Sequence, residues 1–210
     1  MQAHGYTGRT LRRFTVERII VPSGTKEGAM ETERKFKAKN GQEMIIRPAQ
    51  TGDSCAIIDT VRSNANERSY VLMEHYGKDD ASEQDYISHL DNAKNLLVVV
   101  VAAASNEVVG CLAALQSDGG RRPETTHLLH LGLHLREAVR GVGIGTHLLD
   151  YAISWAVEKG FKKLEANIFT TNKNSLGMFK KAGFVEEGLR KSRIQVGREL
   201  ISEVLMGKVL

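Results

Sequence analysis

Regular alternation of apolar and polar positions begins near Met44. Residues 43–47 read as a strand that Pro48 stops. Asp53 stands at a helix N-cap position, and Ala56, Ile57, Ile58 and Val61 give the following helix an apolar face to about Arg62. Residues 63–81 are polar and irregular, with Tyr70, His75 and Tyr76 among them. Ser82 opens a second helix through about Asn92, with Asp85 three residues on as in a capping box. Residues 96–103 are an unbroken, β-branched run, the pattern of a strand buried on both faces. Ser105-Asn106 turns the chain back into a strand over 108–116.

After a polar loop at 117–124, residues 126–136 read as a strand. An amphipathic helix over 145–159 follows, with Leu148, Leu149, Ala152, Ile153 and Ala156 on one face and Gly160 at its end. Residues 163–169 form a strand. Asn172 or Asn174 caps a short helix to Lys181, and strands over 184–189 and 200–209 close the chain. This order predicts an α/β fold, a mixed and mostly antiparallel central sheet with flanking helices.

Residues 1–39 lack this periodicity. They hold nine Lys/Arg against four Asp/Glu, whereas the remainder holds 20 against 21. The net charge of +4 therefore belongs to the leading segment, and the body carries no bulk attraction for nucleic acid. We read 1–39 as a poorly ordered basic extension and 40–210 as one domain. Lys26-Glu27-Gly28 is encodable by a purine-rich ribosome-binding sequence, which would make Met30 a second candidate start and leave residues before it non-native.

A composition 41% hydrophobic and 26% charged is that of an ordinary globular protein. Two cysteines, Cys55 and Cys111, exclude a disulfide scaffold and a four-thiolate zinc site. The longest apolar run, 96–104, has nine residues, while a membrane span needs roughly 20. These features predict a cytoplasmic protein with no membrane partner.

The most informative segment is Arg140-Gly141-Val142-Gly143-Ile144-Gly145-Thr146, between a predicted strand and an amphipathic helix. Glycines permit a tight turn and close backbone approach to a ligand. The next helix contributes unpaired N–H groups and the positive end of its dipole, so the segment suits phosphate oxygens. It lacks the Gly-Lys-Ser/Thr of a P-loop and the third glycine of a dinucleotide fingerprint. By itself it is equally compatible with a turn that binds nothing.

The chain resembles the GNAT superfamily of acetyl-CoA-dependent N-acetyltransferases. Arg140, Gly143 and Gly145 match that family's Arg/Gln-x-x-Gly-x-Gly/Ala signature. Asn172 and the helix ending Met178-Phe179-Lys180-Lys181-Ala182-Gly183-Phe184 match its downstream cue, and the likeness runs over roughly residues 43–210. The resemblance implies a GNAT-like acyl-CoA N-acyltransferase fold with acetyl-CoA as cosubstrate. It implies a diphosphate held by the amides of Arg140, Gly141, Val142, Gly143, Ile144 and Gly145, with Thr146 in the adjoining helix turn. It further implies a pantetheine arm lying beside Leu133, His134 and Leu135, admitted by a splay between strands 127–136 and 163–169, with Asn172 bonding to that arm or placing the acceptor.

Direct transfer to an amine requires a proton acceptor and an N–H donor facing the thioester oxygen. The Leu135 amide or a neighbour is the candidate donor. His130 and His134 share a strand face with Gly132, and His130 is the candidate base. Glu74, flanked by Leu72-Met73, is singled out as a substrate or relay residue within an acidic stretch suited to a cationic amine. Many family members carry a tyrosine where this chain has Phe179, which leaves the acid for the departing thiolate unassigned. This chemistry needs no metal. The acceptor predicted is a small-molecule or peptide amine. A homodimer through a C-terminal edge strand is a further expectation, and a non-catalytic acyl-CoA-binding module is the alternative reading.

Overall fold

The computed structural model describes residues 33–67 and 79–210. Among these residues eight strands form one mixed sheet: β1 (Arg34–Lys37), β2 (Glu43–Pro48), β3 (Leu96–Ala102), β4 (Glu107–Gln116), β5 (Leu128–Leu135), β6 (Lys163–Phe169), β7 (Val185–Val196) and β8 (Glu199–Val209). Their spatial order is β1-β2-β3-β4-β5-β6-β8-β7. Every neighbouring pair is antiparallel except β5 and β6.

Among the described residues four α-helices flank the sheet: α1 (Ser54–Asn66), α2 (Asp80–His89), α3 (Ile144–Glu158) and α4 (Lys173–Lys181). Strand β3 shows how two layers become one fold. Leu97, Val99 and Val101 pack with Ile57 and Val61 of α1 and Ile87 of α2. Leu96, Val98 and Val100 join the larger core with Leu148, Leu149 and Ala152 of α3 and Leu176 of α4. A strand covered on both faces has to be apolar at every position, which is why its sequence does not alternate.

Several boundaries move relative to the sequence reading. Residues 34–37, assigned above to the poorly ordered extension, form β1, registered against β2 from Arg34↔Ile46 to Lys37↔Glu43. Phe36 stacks on His147 at 4.1 Å between centroids, and the Arg34 guanidinium lies 5.1 Å from the Tyr151 ring centre. The short strand is thus anchored along α3 as well as at the sheet edge. Residues 1–32 lie outside the described residues. Helix α2 starts at Asp80 rather than Ser82, because the Asp79 side chain takes the capping role and accepts the Ser82 amide at 2.8 Å.

Asp53 occupies the N-cap position of α1, but its carboxylate does not bond to that helix. It accepts both terminal nitrogens of Arg47, at 2.7 and 2.9 Å, and the Gln50 amide at 2.8 Å. Burial raises the Asp53 pKa, but the Arg47 hydrogen bonds, the Gln50 amide and the Arg47 charge outweigh it, so the carboxyl titrates below its ordinary range. A depressed carboxyl pKa gives stability that is present above the unfolded value of about 3.9 and is lost as pH falls through the folded one. Asp53→Asn should therefore cost about 2–3 kcal/mol at pH 7 by denaturant unfolding. The gap from wild type should close as pH falls below about 4.

Candidate functional site

Strands β5 and β6 pair over only three positions, Leu128↔Lys163, Leu129↔Leu164 and His130↔Glu165. Beyond His130, β5 stays with β4 as far as Leu135↔Gly110, and β6 stays with β8 as far as Phe169↔Glu203. The gap between them is a cavity of about 780 Å³, walled by Gly132, Leu133, His134 and Leu135 on one side and by 166–169 on the other. That volume falls within the range of small-molecule sites.

The open edge of β5 has a defined polarity. The Arg136 amide donates to Val109 of β4 at 2.9 Å. Peptide groups alternate sides along a strand, so the N–H and C=O groups of Leu133 and Leu135 point away from β4 and toward the gap. The Leu135 carbonyl takes side-chain donors in place of a neighbouring strand: Asn64 Nδ2 at 3.0 Å, Arg140 Nε at 3.0 Å and Arg140 Nη2 at 2.9 Å.

The glycine-rich turn follows β5. Gly141 and Gly143 have φ of +77° and +92°, a region that side chains avoid. Gly145 answers a different demand, because a Cβ there would lie 2.8 Å from the Met178 sulfur of α4. Among the described residues, the amides from Gly141 to Gly145 make no backbone hydrogen bond, whereas the carbonyls of Val142 and Gly143 are both taken. The result is a row of N–H groups leading into the N-terminus of α3, an arrangement that suits an anion.

Arg140 differs from its sequence expectation. Its amide donates to the Glu137 carbonyl at 3.1 Å, and its guanidinium grips Glu67 of α1's end through two 2.6 Å contacts. It borders the cavity but holds the turn in place rather than offering a free amide. Glu67 likewise leaves the acidic stretch expected to face a cationic amine. Glu83 is buried, Asp79 caps α2, and Asp85 and Asp91 pair locally with His89 and Lys94. The cavity wall carries Arg190, Arg193 and Glu203 instead.

Leu133, His134, Leu135, Gly141, Gly143, Gly145, Thr146 and Asn172 line the cavity. Val142 and Ile144, also expected at the site, are not among the residues that line the cavity, and the Ile144 side chain belongs to the core. Asn172 caps α4, its oxygen accepting the Ser175 amide at 3.0 Å. Phe179 is buried edge-to-face on Phe184, with ring centres 4.9 Å apart. Glu74, with Tyr70, His75 and Tyr76, lies outside the described residues.

His130 and His134 both reach the cavity from β5. Burial lowers the His130 pKa, the Glu165 and Glu203 carboxylates oppose that and Arg190 reinforces it, and the net shift is downward. Burial pushes the His134 pKa down to about 4, and its Nδ1 is enclosed with no hydrogen-bond partner. Both rings are therefore neutral at pH 7. Among the described residues no group of three or more His, Cys, Asp or Glu side chains is arranged to hold a metal ion. No helix among them is long and apolar enough to cross a membrane.

Sequence reasoning passed over Lys39, Asn64, Asn167, Arg190, Arg193 and Glu203, all of which border the cavity. Asn167 was findable by parity, since it lies two residues along β6 from Glu165, which pairs with His130. Arg193 lies within an irregularity in the β7–β8 register, between Arg190 and Ile194, that no periodicity announces.

Comparisons with known proteins agree with this architecture. The Bacillus subtilis protein YwnH, provisionally named a phosphinothricin acetyltransferase, is 29% identical over 146 residues, which cover 70% of this chain and 86% of that protein. A GNAT-family acetyltransferase structure from Streptococcus pneumoniae shares the fold with a TM-score of 0.73 at 19% identity, over 80% of this chain and 99% of that one. A phosphinothricin acetyltransferase from Sinorhizobium meliloti, solved in complex with acetyl-CoA, does so with a TM-score of 0.72 at 21% identity, over 79% of this chain and 87% of that one. Residues 62–184, more than half of the chain, match the model of the acetyltransferase (GNAT) family. The splayed strands and the glycine-rich turn both fall within that match, and the chain belongs to the GNAT acetyltransferase family.

Proposed function

We propose that the protein transfers the acetyl group of acetyl-CoA directly to the primary amine of a small molecule that also bears an anionic group. The observation that carries the reading is the gap between β5 and β6 opening onto unpaired amides at 141–145. Those amides and the helix dipole behind them suit a diphosphate. The free peptide edge at Leu133 and Leu135 suits an amide-bearing arm, and the bound cosubstrate would supply an activated thioester. On the acceptor side Arg193 has no ion-pair partner among the described residues. An anionic group on the acceptor would meet it. Phosphinothricin, in the names of two relatives, is an amine of that kind. We place the protein in the cytoplasm and propose a homodimer through the exposed edge of β7.

The chain's own groups divide the work. Neutral His130 accepts the proton that the acceptor amine must lose. An N–H on the open edge of β5, at Leu135 or Leu133, faces the oxygen that gains charge. Asn172, whose oxygen is committed to capping, has its Nδ2 left for the arm or the acceptor. Phe179 cannot donate a proton, so solvent reaching the cavity protonates the departing thiolate. The same phenylalanine favours the second reading, a non-catalytic acyl-CoA-binding module. Tight cofactor binding without turnover on an amine panel would select it.

Two variants test the site. Gly143→Glu places a carboxylate at the cradle and should weaken acetyl-CoA binding roughly 100-fold or more by calorimetry. Gly143→Asn, which tolerates positive φ, separates that effect from backbone strain of about 1–2 kcal/mol. Unchanged affinity in a folded Gly143→Glu protein overturns the site. His130→Ala should lower kcat by about 10²–10⁴-fold. In the wild type, activity should fall on the acid side as His130 protonates, with the limb below the ordinary histidine value of about 6.5. The limb should vanish in the variant.

A further inference from the structure

We propose that Lys39 is a phosphate-binding residue of the cofactor site, placed there by the hairpin between β1 and β2. The inference rests on the acetyl-CoA reading above and adds a group outside the family-matched residues 62–184.

The main chain sets the position of Lys39. Its amide donates to the Val142 carbonyl at 2.9 Å, in the middle of the glycine-rich turn. The preceding Ala38 is buried in the larger core, and the hairpin closes through Ala38 N to Gln42 O at 2.8 Å and Gly41 N to Ala38 O at 2.9 Å. With Phe36 stacked on His147, the hairpin is docked against the first turn of α3. The Lys39 stem then runs beside Gly143, its Cγ and Cε each 3.6 Å from where a Cβ on that glycine would sit.

Lys39 also borders the cavity. Of the other cations at its rim, Arg140 is committed to Glu67 and Leu135 and Arg190 to Glu203 at 3.0 Å, while Arg193 stands on β7 rather than beside the glycine-rich turn. Among the described residues Lys39 has no ion-pair or side-chain hydrogen-bond partner. A flexible ammonium beside a row of backbone donors is a point-charge partner for phosphate oxygens. Its place over Gly143 assigns it to the diphosphate rather than to the 3′-phosphate of coenzyme A.

The test is calorimetric titration of the full chain and Lys39→Met with coenzyme A, 3′-dephospho-coenzyme A and S-acetylpantetheine. Methionine keeps the unbranched stem over Gly143 and removes only the charge. Lys39→Met should bind coenzyme A and the dephospho form about tenfold more weakly, the scale of one charge-assisted contact. The difference should shrink toward 1 M salt, where the screening length is about 3 Å. S-Acetylpantetheine, which carries no phosphate, should bind both proteins alike. Equal affinity of wild type and variant for coenzyme A overturns the Lys39 assignment and leaves the cofactor site standing. A loss that extends to S-acetylpantetheine also overturns it, by marking a structural role. A loss confined to coenzyme A overturns the assignment to the diphosphate. No binding of coenzyme A by wild type overturns the proposed function and this inference with it.

Discussion

The parallel ladder between β5 and β6 ends at His130↔Glu165, and the site depends on that ending. Peptide groups freed inside a sheet must find other partners or remain costly to bury. Here the protein meets part of the demand. The Leu135 carbonyl gains three side-chain hydrogen bonds, from Asn64 and Arg140. The amides facing the gap receive no such substitute from the neighbouring strand, and they continue in the chain toward the amides of the glycine-rich turn. Strand edge and helix N-terminus thereby form one line of donors along one side of the cavity.

Much of this was legible in the sequence, and the parts that were not share a cause. Buried elements declared themselves through local pattern. Residues 163–169 as a strand, the β3–β4 hairpin and the long α3 helix all follow from apolar spacing and turn residues. The glycine-rich turn was legible because positive φ and close packing each demand glycine locally, at Gly143 and Gly145 respectively. What escaped was any role set by a partner outside the element itself. Asp53 looks like a cap until Arg47 is brought beside it. Arg140 looks like an anion ligand until Glu67, 73 positions earlier, is brought beside it. Strand β1 has too few residues to show a period, and its anchors, His147 and Tyr151, lie more than a hundred residues away.

The acidic stretch shows the same limit from the opposite side. Read as composition, Glu67, Asp79, Glu83, Asp85 and Asp91 make a negative surface. In the fold Asp79 is a cap, Glu83 is buried, Asp85 and Asp91 pair locally and Glu67 pairs with Arg140, and none borders the cavity. The charged residues at the cavity come from elsewhere in the chain: Arg190, Arg193 and Glu203 on β7 and β8, with Lys39 and Arg140 around the glycine-rich turn. Net charge along the sequence therefore says little about the field inside a cleft, because local partners cancel most of it before it reaches the cleft.

The glycine-rich turn is held by contacts that spare its donors. The Val142 carbonyl takes the Lys39 amide, and the Gly143 carbonyl takes the amides of Thr146 and His147. The Arg140 amide goes to Glu137, and its side chain ties the turn to β5 and to the end of α1. Apart from the amides of Arg140 at its entrance and Thr146 at its exit, these restraints use a carbonyl or a side chain of the turn, and among the described residues none uses the N–H groups from Gly141 to Gly145. Carbonyl dipoles are thus neutralised while amide dipoles are left exposed, which biases the local field toward anions before any lysine or helix dipole is added. A turn restrained through its amides would be as rigid and would have nothing left to offer a ligand. The identity of the tethered groups, more than the presence of glycine, makes this bend a receptor.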